Sequence, residues 1–271
     1  LTALLAPRGP DEVGCHVGRG FALGHARLSI MDPVGGQQPL LHAPTGNALV
    51  HNGEIYNYVQ LRECAALEAA ELGRPPPVYS TASDSESVLP LFELHGAGVA
   101  AMLDGMFALV VVRSDGSAFA ARDPCGIKPL YRGWSASGRV LFASELKCLV
   151  GQVEHAEVFP AGHFWTSEGG YERYFAPQWL APTLGPSTAA LPTGGMENVR
   201  ALLKKAVAKR LMSDVGYGLL LSGGLDSAIV CTLMAELTDM SKIKSFTVGM
   251  PNSPDIMAAR EVARHFGTDH Y

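Results

Sequence analysis

One stretch of this sequence has obvious chemical potential: a glycine turn between an apolar run and a helical pattern. Residues 222–227 read Ser-Gly-Gly-Leu-Asp-Ser, directly after the apolar run at 218–221. A strand that ends in such a turn and opens a helix leaves backbone N–H groups unpaired at the positive end of the helix dipole, which favours an anion. Because the lysine of a Walker loop is missing, the pattern predicts a phosphate site that does not transfer a γ-phosphoryl group.

The residue types within this turn suit that chemistry. Gly223 and Gly224 let the backbone approach a phosphate closely, and the hydroxyls of Ser222 and Ser227 can donate to phosphate oxygens. Asp226 can hold a magnesium ion. A glycine turn that enters a helix is also common as a plain tight connection, so both interpretations stay open on these residues alone.

The elements around the turn predict a parallel sheet. Strand and helix patterns alternate after residue 216, as strand 217–221, helix 228–239, strand 243–250 and helix 255–267. Ser253 and Pro254 are typical of a helix start, and Gly267 of a helix end. An amphipathic helix is predicted before them, within 197–214.

The front of the chain mixes strands and helices. A strand pair is predicted within 19–32, a strand that reaches Asn52-Gly53, a hairpin around residues 114–116 and a strand within 138–145. Apolar residues recur at helical spacing across 84–105, with breaks at Pro90 and at the glycines that follow. Residues 176–196 are rich in proline, glycine, serine and threonine, which predicts a linker.

Composition narrows the classes of function. The chain has 271 residues, 47% of them apolar, and a formal net charge of −5 without any basic block. Neither a nucleic-acid partner nor a membrane surface is therefore indicated. The five cysteines have no CxxC spacing and their number is odd, which favours reduced thiols and a cytoplasmic protein. No apolar run is long enough for a membrane span.

The string LLSGGLDS at 220–227 resembles the pyrophosphate loop of the ATP-pyrophosphatase family, whose members adenylate a carboxylate or carbonyl oxygen. The resemblance implies ATP and Mg²⁺ as cofactors, with Asp226 as the metal ligand. It implies that Leu221 and Val248 touch the adenine and ribose, at the sheet edge where open α/β sheets bind ligands. Ser222, Gly223, Gly224 and Ser227 would hold the pyrophosphate.

Three strings of the front part, HARLSIMD, HNGEIYNY and ARDPCGIKPLY, resemble the class II glutamine amidotransferases. Joined to the loop, they resemble the glutamine-hydrolysing asparagine synthetases along nearly the whole chain. The resemblance implies an α+β four-layer αββα (Ntn-type) glutaminase domain at 1–175, a linker at 176–196, and the start of an α/β parallel-sheet nucleotide-binding domain at 197–271.

The same resemblance implies a glutamine site. Arg27 would bind the α-carboxylate, because a guanidinium fork suits a planar anion, and Asp84 would take the α-ammonium. Asn52 and Gly53 would form the oxyanion hole, and Glu54 the pocket edge. The rest of the pocket would be lined by backbone groups of Leu28, Ser29, Ile30 and Met31. The histidines have no metal-ligand spacing and are interpreted as structural, as is ARDPCGIKPLY.

The implied reaction has two parts. A cysteine thiolate hydrolyses glutamine through a thioester, and the released ammonia attacks aspartate adenylated by MgATP, giving asparagine, AMP and pyrophosphate. The implied substrates are glutamine, aspartate and ATP, and a homodimer is left open. We expect the nucleophilic cysteine upstream of Arg8, because Cys15 lies after RGPDE and does not match it. The chain as printed would then be inactive.

Two other interpretations stay open. One is a β-lactam synthetase-like enzyme, which adenylates an acyl group but has no working glutaminase; Arg27, Asn52, Gly53 and Asp84 count against it. The other is a non-catalytic, truncated paralogue that acts by binding alone. A cysteine immediately upstream would distinguish the amidotransferase from both.

Overall fold

The structure of the chain, a computed structural model, describes residues 2–177, 194–250 and 253–271. It divides into two compact units, Leu1–Leu184 and Gly185–Tyr271. Most of the stretch predicted as a linker, residues 178–193, lies outside the described residues. No helix within the described ranges combines the length and the apolar character that a membrane span needs.

The first unit is built around a six-stranded antiparallel sheet of order β11-β10-β6-β5-β4-β3. Its helices are α1 Tyr58–Glu71, α2 Val88–His95 and α3 Val99–Met102. The strands of the unit are β1 Glu12–Gly18, β2 Phe21–Arg27, β3 Leu40–His42, β4 Asn47–Ile55, β5 Gly105–Val112, β6 Ala118–Arg122, β7 Tyr131–Trp134, β8 Val140–Ala143, β9 His155–Val158, β10 His163–Thr166 and β11 Gly170–Arg173.

The middle of this sheet is buried on both faces. Side chains of a strand alternate between the two faces, and β5 is apolar at every position from Met106 to Val112. Phe107, Leu109 and Val111 pack with the helices in one core. The side chains between them, including Val110, pack in a second core on the opposite face. The apolar run at 106–112 therefore packs against one core on each face of the sheet.

The second core joins the six-stranded sheet to a further β layer. This layer consists of the antiparallel pair β1-β2 and the antiparallel sheet β8-β7-β9. Phe21 and Leu23 of β2 and Phe142 of β8 pack into the core. Two short 3-10 helices, Thr2–Leu5 and Leu146–Cys148, contact each other, and the first also contacts β2. The predicted fold class, with helices over stacked sheets, is confirmed.

The second unit contains a parallel sheet of order β12-β13-β14. As predicted, Ser253 caps a helix by accepting from the N–H of Ile256 at 3.3 Å, and Gly267 ends it in a left-handed conformation. The elements of the unit are α4 Gly195–Arg210, β12 Gly218–Leu220, α5 Leu225–Ala235, β13 Lys244–Phe246, α6 Pro254–Phe266 and β14 Asp269–His270.

The prediction of two paired strands within residues 19–32 is wrong, because only one strand, β2, lies there. β2 pairs with β1, which precedes it, while residues 28–39 form a loop. The two-residue connection Arg19-Gly20 is the overlooked signal, since Gly20 has a φ of 84° and suits a tight hairpin. The correction matters for function, because it leaves residues 28–39 irregular beside the end of β2.

Candidate functional site

Asp84 lies in the 3-10 turn Asp84–Ser87 that leads into α2, and its side chain is buried. Its Oδ2 accepts a hydrogen bond from the backbone N–H of Ile55 at 2.7 Å. Burial raises the pKa of this carboxyl, and hydrogen bonds from the N–H groups of Ile55 and Ser85 oppose that rise. A cation beside a carboxylate favours its charged form, so the arrangement suits an ammonium group.

The predicted oxyanion residues lie on β4, two and three positions before Ile55, whose N–H bonds to this carboxylate. Val50 packs in the core between the sheets, and alternate residues of a strand share a face. Asn52 and Glu54 therefore face the second β layer, where Nδ2 of Asn52 lies 3.5 Å from Oγ of Ser144. Glu54 is buried. Ser144 was not predicted as a site residue, although it lies in the strand pattern at 138–145.

Gly53 has a backbone that no other residue could adopt here without strain. Its φ is 147°, and a Cβ at this position would lie 1.9 Å from the carbonyl oxygen of Met106 in β5. The strand continues through Asn52-Gly53 to Ile55, so these residues do not form a hairpin turn. The close contact with β5 fixes the backbone N–H that the oxyanion hole would use.

The guanidinium of Arg27 is already hydrogen-bonded within this structure, and its binding of a glutamine carboxylate stays a prediction. Nη1 donates to the Glu12 carboxylate at 3.0 Å and to the carbonyl of Pro33 at 3.2 Å. Nη2 donates to the carbonyls of Met31 and Asp32 at 2.9 and 2.7 Å. Arg27 is 5% exposed. A substrate carboxylate would have to take the place of Glu12 to reach it.

The loop after Arg27 is tied to the turn that carries Asp84. The carboxylate of Asp32 accepts from the N–H groups of Gly35 and Ala82 at 2.9 and 2.8 Å. The hydrogen bond from Gly35, followed by that from Ala82, lowers the pKa of this carboxyl. Among the residues predicted to line the pocket, Leu28 is exposed, Ser29 and Ile30 are half-buried and Met31 is buried.

Ser29 donates its N–H to Asp11 at 2.8 Å. This bond and those of Asp32 bring the predicted glutamine residues into one connected region that spans β2, the loop after it, β4 and the turn before α2.

A group of polar residues around His51 was missed as part of the site. His51 directly precedes Asn52 and is buried, and its Nδ1 lies 2.7 Å from Oγ of Ser85. The Gln38 side chain bonds to both the N–H and the carbonyl of His51, at 2.7 and 3.0 Å. His25 Nε2 lies 3.1 Å from the same carbonyl. Their only sequence signal was adjacency, since His51 and Ser85 each neighbour a predicted site residue.

The string ARDPCGIKPLY is architecture, as predicted. Asp123 is buried and accepts from the N–H groups of Phe107, Cys125, Ile127 and Lys128. Arg122 donates to the carbonyls of Gly126, Lys128 and Phe159. Because Phe107 pairs with Gly53 across the sheet, this hub supports the β5 segment that contacts the oxyanion residues.

The Ser-Gly-Gly turn of the second unit is held by its own hydroxyls. Oγ of Ser227 donates to the carbonyl of Gly224 at 3.0 Å and lies 3.1 Å from Oγ of Ser222. Gly223 has a φ of 76°, and a Cβ there would lie 2.7 Å from both Cβ of Ala258 and N of Ala259 in α6. Glycine is therefore required at 223 both by the backbone conformation and by the closeness of α6.

The open end of this turn suits a phosphate. Gly224 is the N-cap of α5, and the serines and Asp226 around it are exposed or half-buried. Among the described residues no three histidine, cysteine or acidic side chains cluster as a metal site. A single exposed carboxylate fits Mg²⁺ only together with phosphate oxygens and water, which is its usual coordination beside nucleotides.

The two residues predicted to touch the nucleotide base differ. Val248 follows β13 and is 97% exposed, so it is free to contact a ligand. Leu221 is 3% exposed and packs in the core of the second unit. Its N–H donates to Phe246, and its carbonyl accepts from Thr247. Burial in the core leaves the Leu221 side chain almost no surface for a ligand, and the predicted contact of this residue with the nucleotide stays a prediction.

Stacked antiparallel sheets thus form the first unit, and a parallel sheet lies in the second. Residues 1–163 match the family described as Glutamine amidotransferase domain, and the chain belongs to this family. Residues 198–271 match the family described as Asparagine synthase.

The chain aligns over its whole length with named relatives. It is 42% identical to asparagine synthetase [glutamine-hydrolyzing] 3 of Arabidopsis thaliana, covering 100% of this chain and 46% of the relative. It is 40% identical to asparagine synthetase [glutamine-hydrolyzing] of Sandersonia aurantiaca, covering 100% and 51%. The chain thus spans about half the length of the curated relatives it matches. A solved glutamine phosphoribosylpyrophosphate amidotransferase of B. subtilis aligns with 92% of the chain and 50% of its own, at 21% identity and a TM-score of 0.45.

Proposed function

We propose that this chain supplies the glutamine site and the first part of the ATP site of an asparagine synthetase. The observation that carries the proposal is the hydrogen bond from the N–H of Ile55 to Asp84, which holds an acidic group beside the Asn52-Gly53 donors on β4. Ammonia from glutamine would amidate aspartate at the expense of ATP, with AMP and pyrophosphate released. The names of the relatives support the choice of aspartate as acceptor.

In the glutamine half, each group has a defined role. The Asn52 amide and the Gly53 N–H would donate to the oxygen that becomes negative when the side-chain amide is attacked. Asp84 would take the α-ammonium, which offsets the burial of its own charge. Arg27 would bind the α-carboxylate in place of Glu12, with which it now pairs.

In the nucleotide half, the turn at 222–227 would receive the pyrophosphate that leaves ATP. Backbone N–H groups at the start of α5 and the hydroxyls of Ser222 and Ser227 would hold its oxygens. Mg²⁺ held by Asp226 and the phosphates would neutralise charge on the leaving group. Val248, exposed beside the sheet, would contact the nucleoside.

Two measurements test this proposal. Calorimetric titration of the chain with L-glutamine should show binding that is lost in Asp84→Asn. The complete protein should form AMP and pyrophosphate only when aspartate is present. Formation of ADP, or AMP formation that does not depend on aspartate, would reject the assignment.

A second candidate is favoured by the Arg27–Glu12 pair. If Glu12 occupies the guanidinium permanently, the front unit has no functioning glutamine site, as in a β-lactam synthetase-like enzyme that only adenylates an acyl group. This candidate predicts pyrophosphate binding at 222–227 and no glutamine binding by the first unit. The titration with glutamine therefore distinguishes the two.

We further propose that the protein acts in the cytoplasm as a homodimer. All five cysteines lie in the described residues and are free thiols, which agrees with a reducing compartment. Sedimentation of the complete protein and imaging of a fluorescent fusion check the oligomeric state and the location.

A further inference from the structure

The buried imidazole of His51 links the two ends of the proposed glutamine site. His51 lies on the face of β4 that packs against the helices, between Leu49 and Ile55 of the same core. Its Nδ1 is 2.7 Å from Oγ of Ser85 in the turn before α2. His51 directly precedes Asn52, and Ser85 directly follows Asp84. One short side-chain contact therefore spans from the oxyanion strand to the acidic turn.

The backbone of His51 is held just as firmly. β3 pairs with β4 only at residues 47–49, so the N–H and carbonyl of His51 lie beyond the end of that pairing. The Gln38 side-chain amide bonds to both, at 2.7 and 3.0 Å, and continues the ladder in place of a strand. His25 of β2 adds a third contact, to the carbonyl at 3.1 Å. The ring is thus anchored to a fixed point of the sheet.

Resting on the proposed function, we propose that His51 is a positioning residue: its hydrogen bond with Ser85 sets the spacing between the Asn52-Gly53 donors and the Asp84 carboxylate. In the proposed site, that spacing would have to fit glutamine from its side-chain amide to its α-ammonium. His51 touches no reacting atom in this arrangement. Its side chain positions the turn through the hydrogen bond with Ser85, and its backbone continues directly into Asn52.

Packing alone does not account for an imidazole at this position. The neighbours on its face of β4 are apolar, and Leu49 and Ile55 are fully buried. Nε2 of His51 has no hydrogen-bond partner among the described residues. An apolar side chain would fill the same space without leaving a ring nitrogen unpaired. Burial lowers the pKa of His51 to about 3, so the ring is neutral and its bond to Ser85 is one between neutral groups.

The test compares the affinities of the chain for L-glutamine and L-asparagine. Asparagine has one methylene fewer between its side-chain amide and its α-ammonium. The unchanged chain should prefer glutamine. Ser85→Ala removes the partner of His51, and the glutamine-to-asparagine affinity ratio should fall about fivefold, the value of a typical hydrogen bond. His51→Leu should lower the ratio similarly. Because both remove the same bond, the double variant should lose no more than either one.

A destabilised control separates positioning from general damage. Val111 is fully buried in the same core, and Val111→Ala should lower the melting temperature yet keep the affinity ratio. An unchanged ratio in Ser85→Ala, or an equal fall in Val111→Ala, overturns the positioning role. If the unchanged chain binds no glutamine at all, the proposed function fails and this inference fails with it. If the unchanged chain binds glutamine and only the expected changes in ratio are missing, the inference fails and the proposed function stands.

Discussion

Arg27 holds the carboxylate of Glu12 at 3.0 Å, in the place where a substrate carboxylate would bind. Glu12 is also fixed by Nε2 of Gln37, which donates to it at 3.0 Å. We expect Glu12→Gln to strengthen glutamine binding by about threefold to tenfold, because it removes a competing negative charge and keeps the size of the side chain. Calorimetric titration measures the change. Glu172→Gln, at an exposed position on β11, is the control. A weaker or unchanged affinity in Glu12→Gln would show that the pair supports the pocket instead.

Gly53 combines a positive φ with a backbone carbonyl in the place of a Cβ. We expect Gly53→Ala to destabilise the first unit by about 3 kcal/mol or more, because strain at positive φ adds to a backbone clash with Met106. Gly138 also has a positive φ, of 78°, but open space around the Cβ position. Gly138→Ala therefore measures the backbone strain alone, and we expect it to lower the free energy of unfolding by about 1 kcal/mol. Urea unfolding measures both. Equal losses would contradict the role of the clash.

Ser227 closes the phosphate turn from the helix side. We expect Ser227→Ala to weaken pyrophosphate binding about tenfold, because it removes the hydroxyl whose one proton, now donated to Gly224, would turn to the anion. Ser241→Ala, which removes a hydroxyl bonded to Asp239 in the same unit, should leave binding intact. Titration with pyrophosphate decides, and equal affinity of the two variants would argue against a site in this turn.

Asp226 is the residue proposed to hold Mg²⁺ beside the phosphates. We expect MgCl₂ to strengthen pyrophosphate binding by the chain, and Asp226→Asn to abolish that dependence. Without Mg²⁺ the variant should bind pyrophosphate slightly better than the unchanged chain, since a negative charge near the anion is gone. Titrations with and without the metal test both statements. A variant that keeps its full response to Mg²⁺ would place the ion elsewhere.

His51 makes the first unit sensitive to acid. Its pKa is about 3 in the folded chain because of burial, below its ordinary value of about 6.5. Above that ordinary value the ring is neutral in both states and has no effect. As the pH falls below it, only the unfolded chain takes up the proton, so stability falls by up to about 1.4 kcal/mol per pH unit until the folded pKa is reached.

Trp134 lies on β7 and Trp165 on β10, so tryptophan fluorescence follows the unfolding of the first unit. Urea unfolding at pH 8, 6 and 5 should show this loss, and His51→Leu should reduce its slope. The pKa of His25 is also lowered by burial, and it retains part of the slope in the variant. Identical slopes in the two proteins would contradict the assignment to His51.

The periodicity of the chain was sufficient for the elements that position the sites. The alternation and the turn at 114–116 predicted β5 and β6, and the strand and helix patterns after residue 216 predicted the parallel sheet. Capping chemistry predicted both ends of α6, because Ser253 and Gly267 act locally. These features depend on neighbours in the sequence, which is why sequence reasoning reaches them.

Partners that are distant in the sequence were not predictable. Nothing near Arg27 indicated that Glu12, 15 residues before it, would occupy its fork. The pairing of His51 with Ser85 spans 34 residues and depends on how α2 packs on β4. The apolar face predicted for α4 did not indicate which of its residues meet the core: Val207 packs there, while Leu202 is 65% exposed. Each of these contacts is decided by tertiary packing.

The crowding around Gly53 limits how this site can change. The carbonyl of Met106 leaves no room for a side chain at position 53. Any substitution of Gly53 on β4 therefore lowers the stability of the first unit. Exposed Leu28 and the half-buried residues after it have no such restriction. A search for altered substrate preference should therefore randomise residues 28–30 and leave the strand untouched.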